Sequence, residues 1–134
     1  MNTQQIGARM RQLVGIALQD KDFEAAQTFA HTWTVAEPDS ANAWHALAIA
    51  YAKQKRFGET RRCLNAVLAR EPKRIAAWVD SAEACIAQMD YYSAAQALRH
   101  AMELDPHGDD PAGRRARAVT GRTLMKLRSL NPNS

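Results

Sequence analysis

Histidines, cysteines and paired acids are the side chains with which this sequence could do chemistry. None of its four histidines stands at the spacing of a His-Glu-x-x-His metal motif. Cys63 and Cys85 are 22 residues apart and lack the Cys-x-x-Cys pairs of a zinc site, so we expect two buried thiols. Asp80 and Glu83 would share one helix face, where acids three residues apart usually face solvent. The histidines are His31, His45, His100 and His107.

Catalysis would need a nucleophile with its base, a metal constellation or a phosphate-binding glycine loop. The sequence contains no motif for any of these. It therefore predicts a protein that is not an enzyme, with no metal site, no cofactor and no small-molecule substrate. Function is expected in binding to another macromolecule.

The composition favours helices over strands, because alanine is abundant and β-branched residues are sparse. The N-terminal residues, MNTQQIGARMRQLVGIALQDKDF, contain no apolar run of signal-peptide length. Nothing in the chain reaches the roughly 18 apolar residues of a membrane span. We expect a cytoplasmic protein with no membrane partner.

A period of 34 residues organises the chain. Pro38, Pro72 and Pro106 recur at this interval, each after an acidic residue. A fixed interval of this size is typical of a repeat protein. Aligned on the prolines, three repeats of about 7–40, 41–74 and 75–108 carry large, small and aromatic residues at matching positions. In the second and third repeats these residues are Trp44, Leu47, Ala48, Tyr51 and Phe57, and Trp78, Ser81, Ala82, Cys85 and Tyr91.

Each repeat is predicted to be two helices joined by a tight turn. Apolar residues recur at steps of three and four, as on the buried face of an amphipathic helix. Asp22 and Asp90 stand where a side-chain oxygen would cap the second helix of a repeat. Each proline should end that second helix, because it has no amide hydrogen and clashes with the preceding turn.

The residues after Pro106 predict a final, strongly basic helix. Residues 107–134 hold six basic and two acidic side chains, whereas the rest of the chain is balanced. Asp110 should cap a helix over about 110–128, with Pro111 in its first turn. Its apolar stripe would cover the last repeat, completing a single domain over about 1–128, and residues 129–134 are predicted to be a disordered tail. The stripe consists of Ala112, Ala116, Val119, Thr123 and Leu127.

This pattern of Trp, Leu, Ala and Tyr, followed by Phe or Tyr and a proline, resembles the tetratricopeptide repeat family. The resemblance implies an all-α, right-handed solenoid of three helix-turn-helix repeats with a C-terminal capping helix. It implies that Trp44 and Trp78 pack the first helix of their repeat against its partner, in the core. Ala48 and Ala82 would be small because two helices approach closely there.

The resemblance also implies a concave groove, lined by the first helix of each repeat, that binds an extended or helical segment of a partner protein. Co-chaperone members of the family clamp a terminal carboxylate with Lys, Asn and Arg. The matching positions here are Arg11, Gly15, Ala46, Ala76 and Asp80, so that clamp is absent. The partner-binding positions implied by the resemblance are Arg11, Asn42, His45, Ile49, Lys53, Val79, Glu83 and Ile86, extended by Arg114 and Arg117.

Three functions stay open at this point. The leading one is an adaptor or chaperone, and the architecture resembles the small tetratricopeptide chaperones of bacterial type III secretion systems. The second is a structural or self-assembling scaffold, with Tyr92, Leu124 and Met125 as candidate contacts, which leaves homo- or hetero-oligomerisation open. The third is nucleic-acid binding through the basic final helix, which the lack of interleaved aromatic residues does not favour.

Overall fold

The computed structural model describes residues 1–130, which form seven helices and, within that range, no strand. The predicted all-α repeat fold is therefore confirmed. None of these helices combines the length and hydrophobicity that crossing a membrane requires. The helices are α1 (Thr3–Gln19), α2 (Phe23–Ala36), α3 (Ala41–Lys53), α4 (Phe57–Arg70), α5 (Ile75–Ala87), α6 (Tyr91–Leu104) and α7 (Pro111–Leu130).

Two helix ends differ from the prediction. Helix α1 begins at Thr3 rather than near residue 7, because Asn2 and Gln5 form a reciprocal capping box. The Asn2 side chain accepts the Gln5 amide at 2.8 Å, and the Gln5 side chain accepts the Asn2 amide at 2.9 Å. Helix α7 continues to Leu130, so the first two residues of the predicted tail are helical. The rest of that tail, residues 131–134, lies outside the described residues.

The three hairpins turn through the same backbone geometry. Lys21, Lys55 and Met89 have φ angles of 59°, 59° and 61°, in the left-handed region that favours glycine. In the first turn the Asp22 amide donates to the Ala17 carbonyl at 2.8 Å, and equivalent bonds close the other two turns. This is the Schellman ending of a helix, and it reverses the chain within a few residues.

The residue after each left-handed position is the N-cap of the next helix. Asp22 accepts the Ala25 amide at 3.1 Å and Asp90 accepts the Ser93 amide at 3.2 Å, which confirms both predicted caps. Arg56 holds the same place before α4 and provides no side-chain cap. Its guanidinium instead lies 4.9 Å from the ring centroid of Tyr51.

The chain divides into two compact units, Met1–Pro72 and Lys73–Ser134. In the first unit α2 packs between α1 and α3, and α3 packs on α4. Buried alanines, among them Ala17, Ala26 and Ala50, let these helices approach closely. In the second unit α7 packs against both α5 and α6, and its residues Ala116 and Val119 join their core.

The tryptophans of the second and third repeats are only partly buried, which corrects the prediction that they lie in the core. The indole nitrogen of Trp44 donates to the Pro38 carbonyl at 2.8 Å, and the Arg70 guanidinium lies 5.4 Å from the ring centroid. Trp78 stacks on His100 with ring centroids 4.4 Å apart. Both rings thus keep one side against the helices and cover the other with a polar side chain.

The two positions that were predicted to need small residues agree with the structure. Ala48 and Ala82 are 1% and 0% exposed, as expected where two helices approach closely. Residues 71–74, around Pro72, lie outside any helix, so the proline does stand between two helices.

The start of α7 is built around one buried acid. Asp105 is 6% exposed, and its carboxylate accepts the amides of Asp109 at 2.9 Å and Asp110 at 3.1 Å. Gly113, in the first turns of α7, leaves room for that carboxylate. Arg117 donates to the Asp105 carbonyl at 2.6 Å. Together these bonds fix the direction in which α7 leaves the turn.

Candidate functional site

Four of the predicted binding residues lie on α3. Asn42, His45, Ile49 and Lys53 recur at steps of three and four, so they share one face of the helix. Asn42 and Lys53 are exposed, while His45 and Ile49 are partly buried. This face therefore offers polar groups at both ends and a partly accessible apolar side chain between them.

Helix α1 contacts α3 and carries the next part of the site. Arg11 is exposed, and Ile16 is 55% exposed. Apart from the adjoining backbone of α1 and the residues next to Gly15, no atom lies within 4 Å of the position that a Cβ would take there, so the surface is open. These residues border one shallow hollow, whose lining is Ala8, Arg11, Gln12, Gly15, Ile16 and Gln19.

The prediction did not include Ile16. It is exposed on α1 and stands outside the buried residues Gly7, Val14 and Ala17. An isoleucine off the buried stripe of an amphipathic helix is the signal that could have identified it.

The electrostatic character of α1 and α3 is one-sided. Neither helix contains an aspartate or a glutamate, whereas Arg9, Arg11 and Lys53 are basic. With the partly accessible Ile49, the α3 face and the neighbouring Arg11 complement a segment that carries both apolar side chains and carboxylates.

Helix α5 exposes fewer of the predicted binding residues than the sequence indicated. Val79 is 0% exposed and belongs to the core of the second unit, so its side chain cannot contact a partner, and its assignment to the groove was wrong. It lies in the core because α6 and α7 both pack against α5. Glu83 is exposed and Ile86 is partly buried.

Arg115 of α7, which was not among the predicted binding residues, contacts α5. Arg115 hydrogen-bonds the Asp80 carboxylate, and its Nε lies 3.8 Å from Glu83 Oε1. Both acids are therefore compensated within the second unit. Since the pairs are partly exposed, they contribute little stability and mainly orient the side chains.

Arg114 and Arg117, which were predicted to extend the groove, hold the turn before α7 instead. Arg114 donates to the carbonyls of Gly108 at 3.0 Å and Asp109 at 2.9 Å. Arg117 donates to the Asp105 carbonyl, as described above. The helical phase explains the difference, because neighbouring residues on a helix point about 100° apart.

A second hollow, of about 350 Å³, lies among α2, α3 and α4. Its lining includes His31, Trp44, Tyr51, Arg62 and the buried Cys63. Burial raises the pKa of the Cys63 thiol to about 11, so the thiol stays protonated at neutral pH and is a poor nucleophile. Across residues 1–130, no three His, Cys, Asp or Glu side chains are placed to hold a metal ion.

Comparison with known proteins gives a consistent result for the fold. A family model described as tetratricopeptide repeat matches residues 17–84. None of the curated proteins compared with the chain matches it.

Several solved structures are similar over nearly their whole length. The TPR2B domain of yeast Sti1, in a complex with pHsp70, has a TM-score of 0.85 at 20% identity, over 91% of this chain and 98% of that one. The TPR domain of Arabidopsis OM64 has a TM-score of 0.80 at 17% identity, over 91% and 99%. The second TPR domain of human RPAP3, in complex with an Hsp70 peptide, has a TM-score of 0.79 at 14% identity, over 89% and 98%.

Proposed function

Because the chain belongs to the tetratricopeptide repeat family, we propose that it is a protein-interaction module without enzymatic activity. Its binding surface would be the exposed face of α1 and α3, and its ligand an extended or helical segment of a partner protein. The observation that carries the proposal is the absence of acidic residues from both helices, combined with the partly accessible Ile49 on the α3 face.

The solved relatives support the class of ligand. The Sti1 domain is in a complex with pHsp70, and the RPAP3 domain holds a peptide of Hsp70. A similar fold therefore binds protein segments in other chains. The Lys, Asn and Arg clamp positions expected of co-chaperones are occupied here by Arg11, Gly15, Ala46, Ala76 and Asp80, so the contacts of this chain must differ.

The binding face defines the chemistry of the expected partner. Arg11 and Lys53 are exposed cations, and a carboxylate near either one would form a charge-assisted hydrogen bond. Ile49 would contact apolar side chains of the same segment. We expect a partner segment that alternates apolar and acidic residues.

The proposal can be tested by charge reversal. The tagged protein is crosslinked in its native host, and the recovered proteins are identified by mass spectrometry. The double variant Arg11→Glu with Lys53→Glu should lose most of the recovered partner, because two attractive contacts become repulsive. The control, Lys21→Glu with Lys73→Glu, changes the net charge equally at exposed turn residues and should retain the partner. If the variant Arg11→Glu with Lys53→Glu recovers as much partner as the unchanged protein, the binding site does not lie on α1 and α3.

A narrower form of the proposal is a cytoplasmic chaperone of a bacterial type III secretion system, which would keep an exported protein soluble. Its support is the architecture of three helical hairpins and a final helix. Such a chaperone should recover one stoichiometric protein that survives high salt. Recovery of many proteins in small amounts would contradict it.

The alternative function is a structural scaffold that assembles on its own. Tyr92 is 75% exposed and Met125 is 72% exposed, so both could contribute to self-association. Light scattering of the purified protein separates the two functions. A discrete oligomer in the absence of any partner would favour the scaffold, and a monomer would favour the interaction module.

A further inference from the structure

The six basic residues of α7 fall into two groups. The three nearer its start, Arg114, Arg115 and Arg117, are engaged with carbonyls and carboxylates of the second unit. The other three lie in the distal half of α7, which we define as residues 121–130. They are exposed, and none of them has an acidic partner within the described residues. These three are Arg122, Lys126 and Arg128.

The distal half contains no compensating charge of its own. No aspartate or glutamate occurs between Pro111 and Leu130. Three cations that have no acidic partner in residues 1–130 therefore lie within about 15 Å along one helix. This local excess of positive charge favours an acidic partner and is sensitive to salt.

The same half also exposes apolar side chains. Val119 is the last fully buried residue of α7. Beyond it, Leu124 is 49% exposed, Met125 is 72% exposed and Leu130 is 66% exposed, whereas Leu127 is partly buried. At 100° per residue, Leu127 and Leu130 continue the stripe of Val119 past the point where the second unit covers it.

Two of the charges border this uncovered stripe, since Arg122 and Lys126 lie along one edge of it. Leu124 lies beyond the other edge, and Arg128 lies on the opposite side of the helix. Such a surface matches an amphipathic helix of opposite charge, which could place apolar residues on Leu127 and Leu130 and carboxylates on Arg122 and Lys126. The distal half also lies outside residues 17–84, which the family model matches.

We propose that the distal half of α7 is a second docking surface, which binds an acidic amphipathic helix of a partner protein. A membrane is the weaker occupant, because α7 contains no aromatic residue to anchor it at a lipid interface. Nucleic acid is also weaker, because no aromatic side chain is present to stack on bases. This surface belongs to the second unit and does not depend on the α1 and α3 face.

The probe for the test is a fluorescein-labelled synthetic peptide of about 18 residues, with leucines on one helical face and glutamates on the other. A scrambled peptide of the same composition has the same charge but no amphipathic face. Fluorescence anisotropy with the full-length protein should show binding of the amphipathic peptide about tenfold tighter than of the scrambled one. Equal binding would reduce the interaction to general charge attraction and overturn the proposal.

Variants then locate the surface. The triple variant Arg122→Glu, Lys126→Glu and Arg128→Glu should weaken peptide binding about tenfold or more. Its control, Lys21→Glu, Lys55→Glu and Lys73→Glu, changes the same number of exposed charges outside α7 and should change binding less than about twofold. If circular dichroism shows that the triple variant has lost helicity, the glutamine versions of the same three positions replace it. Equal losses in both sets would overturn the proposal.

Substitution of the exposed leucines tests the proposal independently of charge. Replacing Leu124 and Leu130 by serine removes exposed apolar surface without changing charge, and should also weaken binding of the amphipathic peptide. Phosphatidylserine vesicles and a polyuridine oligonucleotide serve as competing probes. If the protein binds either of these probes more tightly than the peptide, the partner of this surface is a membrane or a nucleic acid, and the proposal is overturned.

Discussion

Alanine substitutions at two glycines of α7 should change stability in opposite directions. At Gly113 a Cβ would lie 2.6 Å from Asp105 Cγ and 2.8 Å from Asp105 Cβ. Atoms so close to the backbone of the neighbouring residue cannot move away freely. At Gly121, apart from the adjoining backbone of α7 and the residues next to the glycine, no atom lies within 4 Å of the Cβ position.

The magnitudes follow from these surroundings. In a helix, alanine is favoured over glycine by about 1 kcal/mol, and at Gly121 nothing offsets this gain. At Gly113 the Asp105 carboxylate would have to leave the amides of Asp109 and Asp110. Two hydrogen bonds to a charged group are worth about 3 to 5 kcal/mol, so the net loss at Gly113 should be about 2 to 4 kcal/mol.

Urea unfolding followed by far-UV circular dichroism would measure both effects. Gly113→Ala should lower the midpoint and Gly121→Ala should raise it, with the slope of the transition unchanged. The double variant Gly113→Ala with Asp105→Gly supplies a cycle, because the alanine at 113 should cost little once the whole side chain at 105, with its Cβ, is gone. A stabilising Gly113→Ala would refute the assigned role of Asp105, and a destabilising Gly121→Ala would show that the distal half of α7 is covered.

Three further changes test other parts of the structure. Replacing Lys21, Lys55 or Met89 by glycine should stabilise the protein by about 0.5 to 1 kcal/mol each, because these residues have positive φ; a loss in thermal unfolding experiments would contradict the turn geometry. Because burial raises the pKa of Cys63 to about 11, its alkylation in the native protein should still accelerate above about pH 9 rather than level off, as mass spectrometry of the labelled peptide would show. The same shift should lower folding stability as the pH rises from about 9 towards 11, since only the unfolded thiol ionises there. Trp44→Ala should cost about 2 kcal/mol in urea unfolding, through lost apolar contact and the bond to the Pro38 carbonyl; a cost near zero would place the indole on the surface.

The repeat architecture was predictable because it depends on local chemistry. A proline cannot continue a helix beyond the first turn, so three prolines at one interval located the connections between repeats. Asp22 and Asp90 could be identified as caps because a capping bond spans only three residues. The left-handed turn residues were not predictable in this way, since Lys55 and Met89 have no preference for positive φ.

The binding residues were predictable only in part. The spacing of three and four placed His45 and Ile49 on one face of α3, where the structure has them. The same reasoning placed Val79 on a binding face, although packing by α6 and α7 buries it completely. Whether that face of α5 contacts a partner or the core depends on α6 and α7, which follow it in the chain.

What the sequence determined by itself is therefore the set of helices, their turns and the family to which they belong, because these depend on interactions within a few residues. The tertiary structure decided which of two equivalent glycines is required, which arginine reaches Asp80, and which cations of α7 remain without an acidic partner in residues 1–130. These outcomes depend on what lies opposite each residue in space. Residues of one type at similar spacing can therefore have different roles.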